Sequence, residues 1–188
     1  GKHQNLDLLL SNIQDLLAEQ TVNKIAADYY HFSQWLEQNA SSNYEFIIID
    51  APASTSPISI NAMLAADLII VPLECEALAI KSLKRFLQAF KELQQNIEPG
   101  LRLAGILLTM YDDTILSHQQ VCRQIYQTLG DSVFETIIPN CPYILEASSM
   151  GIDVIQRHLN SEGATGYIRL ANELLDRFLL PKSVEASQ

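Results

Sequence analysis

Three groups of residues in this 188-residue chain have the types and spacing to do chemistry. The first is Asp50, which ends the apolar run Phe46-Ile-Ile-Ile and opens Ala51-Pro-Ala-Ser54. A carboxylate at the end of a buried strand is costly unless something pairs with it. In phosphate-transfer enzymes a carboxylate there holds Mg²⁺, directly or through water. The same placement also suits a carboxylate that merely caps the following turn. The second group is a pair of polar segments after apolar runs, Thr109-Met110-Tyr111-Asp112-Asp113 and Pro139-Asn140-Cys141-Pro142. Such loops can read a base, since an Asn amide matches the donor–acceptor edge of adenine, and they also serve as plain connections. The third is cationic. At helical spacing Lys81, Lys84, Arg85 and Lys91 fall within about 120° of one another, opposite Leu83, Phe86, Leu87, Phe90 and Leu93. That face can be solvated or can meet phosphate.

Other reactive side chains carry less. His3, His31, His118 and His158 show no metal-ligand spacing, and Cys75, Cys122 and Cys141 form no C-x-x-C pair. Glu74 and Glu76 sit where acidic residues favour a helix start. Cys75 between them reads as a packing residue, because no basic neighbour lowers its pKa.

These residues must be positioned by the elements around them. Four apolar runs read as buried strands: Phe46–Asp50, Leu68–Pro72, Leu103–Thr109 and Val133–Ile138, with Leu6–Leu10 as a fifth candidate. Helical patterns occupy 22–39, 57–66, 76–95, 117–129 and 162–180, with Ser117 and Ser161 as start signals and Pro99-Gly100 as a stop. The alternation predicts an α/β fold, a doubly wound and mainly parallel sheet flanked by helices. In such sheets ligands lie beyond the carboxyl ends of the strands, where Asp50–Ser54, Glu74–Glu76, Thr109–Asp113 and Pro139–Tyr143 fall. We expect one domain over 1–180 and a polar tail over 181–188.

Composition narrows the classes. Apolar residues make up 48% and charged residues 18%, which suits a packed domain and not a disordered chain. The net charge of −10 counts against a dedicated nucleic-acid binder. No apolar run is long enough to span a bilayer and no secretion signal is evident, so a cytoplasmic setting is expected.

Read in order, the motifs resemble the ParA/Soj-type deviant Walker A ATPases, the class that also contains MinD. The resemblance covers about Asn5 to Leu175. It rests on Asn5–Ile13, Tyr44–Pro52, Ile60–Asp67, Val71–Glu76, Leu107–Asp112, Ile138-Pro139, Leu145-Glu-Ala147 and Gly151, all in register. It implies a P-loop NTPase-like fold, with Asp50 in the Mg²⁺ and water network beside the γ-phosphate. It also implies that Thr109, Met110, Pro139 and Asn140 lie around the adenine. Members of the class bind ATP, dimerise around it, coat DNA non-specifically and are released by a ParB-like partner with a basic N-terminal peptide. A nucleoid-associated location follows from that behaviour.

The departures are chemical. The Gly-rich phosphate loop with its Lys is absent, and Gly1-Lys2 is followed by His3 where the class has Thr. Position 53 is Ala where the class has a second Pro, and Glu74 replaces a Gln. The Arg-rich stretch after Ile138-Pro139 reads Asn140-Cys-Pro-Tyr143. Without backbone N–H groups to cradle phosphate and a Lys to neutralise it, Asp50 alone cannot bind MgATP. The expectation is therefore most of a ParA-like partitioning ATPase without its N-terminal strand–P-loop–helix unit, inactive as it stands. In that reading Lys81, Lys84, Arg85 and Lys91 are the DNA-binding candidates. The alternative is a non-catalytic interaction protein that keeps the fold and binds a basic partner peptide.

Overall fold

A computed structural model describes residues 5–10, 22, 24–40, 43–52, 54 and 56–179. Gly1, Lys2, His3, residues 11–13 of the first motif, Ala53 and the tail 181–188 lie outside the described residues. The elements run α1 (His31–Asn39), α2 (Pro57–Leu64), β1 (Ile69–Glu74), α3 (Ala77–Asn96), β2 (Leu103–Thr109) and α4 (Leu116–Leu129). After a 3-10 turn at Gly130–Ser132 come α5 (Pro142–Ser149), α6 (Val154–Arg157) and α7 (Glu162–Leu174), extended by a π-helical turn over Leu175–Leu179. The chain divides into two compact units, one of residues 1–69 and 84–103 and the other of 70–83 and 104–188.

In the first unit, α2 starts because Ser56 caps it and Pro57 supplies a fixed φ at its first turn. Asn61, 5% exposed, then uses its whole amide. Its Nδ2 donates to the carbonyls of Ala26 (2.8 Å), Asp28 (3.0 Å) and Pro57 (3.3 Å), and its Oδ1 accepts from Phe32 N–H (3.2 Å). A buried amide is tolerated only when satisfied in this way, and here it ties the start of α1 to α2. Phe90, Leu93 and Leu101 form the apolar centre of this unit, with Ile60, Met63 and Phe86 against it.

Two of the expected strands are not paired. Residues 6–10 and 44–50 make no ladder hydrogen bonds among the described residues, and Leu8, Leu9, Leu10, Phe46 and Ile48 are exposed. An apolar run becomes a strand only where a neighbour's backbone pairs with it, and neither run is paired in that way among the described residues. The Tyr44 hydroxyl donating to Asp7 Oδ2 (2.7 Å) connects the two runs.

The second unit is organised around β2. On one edge it pairs in parallel with β1, where Cys75 N–H donates to Thr109 O (3.2 Å). On the other edge, parallel bridges join Ile106 to Val133 and Tyr111 to Pro139. Phe134 N–H donates to Ile106 O (3.0 Å) and Ile138 N–H to Leu108 O (2.9 Å). Two residues of β2 thus face four of the segment 134–138, so residues 135–137 bulge out of the ladder. That bulge is why the expected strand Val133–Ile138 is present as separate bridges. Gly105 is required beside it, since a Cβ there would stand 3.0 Å from both Phe134 Cε2 and Ser132 O.

The N–H groups freed by the bulge are recaptured from α7. Glu173 accepts from Glu135 N–H and Thr136 N–H, each at 2.8 Å, and pairs with Arg177. Arg177 lies over the Phe134 ring, 5.1 Å from its centroid. Burial by itself raises the Glu173 pKa, but the hydrogen bonds from Thr136 and Glu135 and the Arg177 charge outweigh it and hold the carboxyl below its ordinary value. Tyr126 closes the same corner, donating to Phe134 O (2.7 Å), and burial pushes its hydroxyl up to about 12.

The α/β class with parallel strands is as the sequence predicts. β1 starts one residue later than expected and runs to Glu74; β2 occupies the expected range. The helical pattern 22–39 is broken by turns over 26–30 before α1, and α5 and α6 are additional to the expected helices.

Because the Glu173 pKa is lowered on folding, its stabilisation is complete above the unfolded-state value and is lost as pH falls through the folded-state value. Glu173→Gln should lower stability in urea at pH 7 by about 1–3 kcal/mol. The wild-type and variant curves should converge in acid, and parallel curves down to acid would refute the assignment.

Candidate functional site

The carboxyl end of β2 and the end of the bulged segment are held side by side by backbone bonds. Tyr111 N–H donates to Ile138 O (3.2 Å), and Asn140 N–H donates back to Tyr111 O (2.8 Å). Thr109, Met110, Pro139 and Asn140 therefore belong to two adjacent loops, as the sequence requires of a shared site. Thr109 and Pro139 are half-buried; Met110 and Asn140 are exposed. The Asn140 amide has no partner among the described residues, which leaves its donor and acceptor free for a ligand edge.

Met110 carries a feature that sequence inspection misses. Its φ of 54° is the one positive φ among described non-glycine residues. A left-handed conformation costs an L-residue about 1–2 kcal/mol. Here the turn lets the chain leave β2 and still place Tyr111 on the Pro139 bridge. The following loop is tightly closed. Asp112 accepts from Thr114 Oγ1 (2.6 Å) and N–H (2.9 Å), while its own N–H donates to His118 Nδ1 (3.1 Å). The Thr114 hydrogen bonds hold the Asp112 carboxyl below its ordinary value. Asp112 and His118 thus serve the loop's geometry.

Beyond this pair of loops, α7 is pressed onto the segment by glycines. A Cβ at Gly166 would lie 3.2 Å from Pro139 Cδ, and one at Gly163 would lie 2.8 Å from Ile144. Ser161 caps α7 by accepting from Ala164 N–H (3.1 Å). The fixed helix start therefore backs the Pro139 loop.

Asp50 belongs to the first unit, in the unpaired segment 44–50, and is exposed. It has no hydrogen bond or ion pair among the described residues. The buried strand end expected for it is not formed. Among the described residues no cluster of three or more His, Cys, Asp or Glu is arranged to hold a metal ion. The sequence has no Gly-x-x-x-x-Gly-Lys-Ser/Thr run. These residues do not by themselves fit MgATP, because one solvated carboxylate supplies neither phosphate donors nor charge neutralisation.

Lys81, Lys84, Arg85 and Lys91 are all exposed on α3, while Leu83, Phe90 and Leu93 are buried. Phe86 and Leu87 are half-buried, so the helix has the amphipathic division expected for it. Cys75 is fully buried and burial, with Cys122 adding to it, pushes its thiol up to about 11, consistent with a packing role. No helix among the described residues is long and apolar enough to cross a membrane.

Comparison with known proteins finds relatives in both sequence and structure. A family model described as an AAA domain matches residues 1–103. The chromosome-partitioning ATPase Soj of Thermus thermophilus is 40% identical over 134 residues, covering 71% of this chain and 54% of that protein. The sporulation initiation inhibitor protein Soj of Bacillus subtilis is 32% identical over 171 residues, covering 91% and 67%. Among solved structures, cobyrinic acid a,c-diamide synthase from Mycobacterium smegmatis with bound ATP analogue and magnesium aligns with a TM-score of 0.65 and 28% identity. That alignment covers 84% of this chain and 57% of that one. The chain spans about half the length of most of the curated relatives it matches.

The Met110 geometry is directly testable. Met110→Val should cost about 1–2 kcal/mol, because a β-branched side chain tolerates the left-handed region poorly. Met110→Gly should leave the urea midpoint unchanged or raise it. Equal losses in both variants would mean that side-chain packing, not backbone conformation, sets the residue's contribution.

Proposed function

The chain belongs to the ParA/Soj family within the MinD/ParA superfamily of ATPases, and from that premise we propose that it acts in chromosome partition. The observation that carries this reading is the identity with a Soj protein over 91% of the chain, spanning both post-strand loops. In this reading Thr109, Met110, Pro139 and Asn140 form the base side of a nucleotide site, and Asp50 contributes a carboxylate to Mg²⁺ through water. The nucleotide would be ATP, as in the deviant Walker A class, and its phosphates would need residues that this sequence does not contain. The working assembly is a dimer that meets non-specific DNA through Lys81, Lys84, Arg85 and Lys91. A ParB-like protein with a basic N-terminal peptide is its partner, favoured by the net charge of −10. Its setting is cytoplasmic and associated with the nucleoid.

The 188-residue chain does not hydrolyse ATP by itself in this reading. The loops at Thr109–Met110 and Pro139–Asn140 lie side by side, but the residues that would hold the phosphates are not in the sequence. That same feature favours a second reading, a non-catalytic interaction protein that keeps the fold and captures a basic peptide.

One measurement tests the inactivity that both readings share, and a second separates them. Calorimetry of the chain with MgATP should show no tight binding, whereas a dissociation constant in the low micromolar range would overturn the inactivity. DNA retention by the full chain should be weak and fall steeply with salt. Replacing Lys81, Lys84 and Arg85 together by Ala should abolish it; undiminished retention would remove the basic face from the partition reading and favour the second one.

A further inference from the structure

The bulged segment and α7 border a groove that shares only Pro139 with the residues of the nucleotide reading. Two adjoining cavities, of about 680 and 450 Å³, lie along it and share Ile137 and Arg169. From α7 and its π-helical extension, Glu162, Thr165, Arg169, Asn172 and Asp176 line this groove. Their spacing of three and four residues keeps them on one helical stripe. The charged members are arranged acidic, basic, acidic.

None of these three charges is committed elsewhere. Among the described residues, Glu162, Arg169 and Asp176 have no side-chain hydrogen bond or ion pair, and all three are exposed. Opposite them the bulge leaves backbone groups unused. Glu173 takes the N–H groups of Glu135 and Thr136, but the N–H of Ile137 and the carbonyls of Glu135, Thr136 and Ile137 have no partner among the described residues. A free row of backbone donors and acceptors is what an extended peptide pairs with, and what a small ion cannot satisfy.

We propose that this groove, between residues 135–137 and α7, docks an extended peptide segment of a partner protein whose charges run basic, acidic, basic. The spacing follows from geometry. Seven residues of helix separate each acidic side chain from Arg169, which is about 10 Å at a rise near 1.5 Å per residue. An extended chain covers that distance in about three residues. The matching order is therefore basic-x-x-acidic-x-x-basic. The central carboxylate is read by the Arg169 guanidinium in a two-pronged contact, and the flanking cations are read by Glu162 at one end and Asp176 with Glu135 at the other. Four acidic residues against two arginines line the two cavities, which disfavours a nucleic-acid backbone in the same place. The inference needs neither nucleotide nor DNA, so it stands apart from the partition reading.

The test uses the full chain and labelled heptapeptides followed by fluorescence anisotropy. The probe Lys-Thr-Val-Glu-Val-Thr-Lys is compared with its isomer Lys-Lys-Thr-Val-Val-Thr-Glu, which has the same composition. The ordered peptide should bind about tenfold more tightly or better. Arg169→Glu should remove that preference and transfer it to Lys-Thr-Val-Lys-Val-Thr-Lys, with an unchanged circular dichroism spectrum, since Arg169 is exposed. Arg169→Gln should weaken the ordered peptide without creating the new preference. Equal affinity for the two isomers overturns the proposal, as does indifference to both variants. A peptide effect that disappears on dilution together with a dimer in sedimentation would assign the groove to a second copy of the chain and overturn it equally.

Discussion

The second unit depends on β2 having a partner on each edge. A strand buried to this degree, with Ile106 and Leu108 completely inaccessible and Ala104 and Leu107 nearly so, cannot leave backbone groups unpaired on either side. β1 satisfies one edge and the 133–139 segment the other. The two loops that emerge at the carboxyl end inherit their proximity from this ladder. Their positions are set by backbone hydrogen bonds rather than by their own side chains, so Asn140 can stay exposed and unengaged while its backbone is fixed.

The ladder is imperfect at one place, and several features of the unit answer that imperfection. Where residues 135–137 leave it, a carboxylate from α7 replaces the missing strand acceptors. Arg177 then neutralises that carboxylate and also covers Phe134. One defect is thereby converted into a connection between sheet and helix, with every participant charge-assisted. Asn61 plays the corresponding part in the first unit, where a single buried amide bonds the backbone of Ala26, Asp28, Phe32 and Pro57. In both units a side chain ties backbone segments together.

Sequence patterning located the elements that are stabilised by their own periodicity. β2 falls on its expected range, and α3 and α4 lie within one residue of theirs, because a continuous apolar run or a 3.6-residue repeat marks its own limits. It missed α5, whose eight residues begin at Pro142 and bury only Ala147, so that little amphipathic contrast exists to detect. The candidate loops were legible because they directly follow apolar runs. The bulge was not, since Val133–Ile138 has the composition of a strand whether or not its neighbour stays in register. Nor was the Met110 conformation, because nothing about a methionine signals a positive φ.

Asp50 shows where that division falls. Its place after three isoleucines, the ordered motifs around it, the acidic balance and the family they identify are properties of the chain read linearly, and the sequence determined them alone. Whether those isoleucines form a strand was decided by the tertiary structure, because a strand is a relation between two segments. The run 103–109 finds neighbours on both edges and becomes the centre of a sheet, while the equally apolar run 46–50 finds none among the described residues and leaves its carboxylate in solvent. Hydrophobicity states that a segment should be buried; only a partner's backbone, at hydrogen-bonding distance and in register, determines that it is.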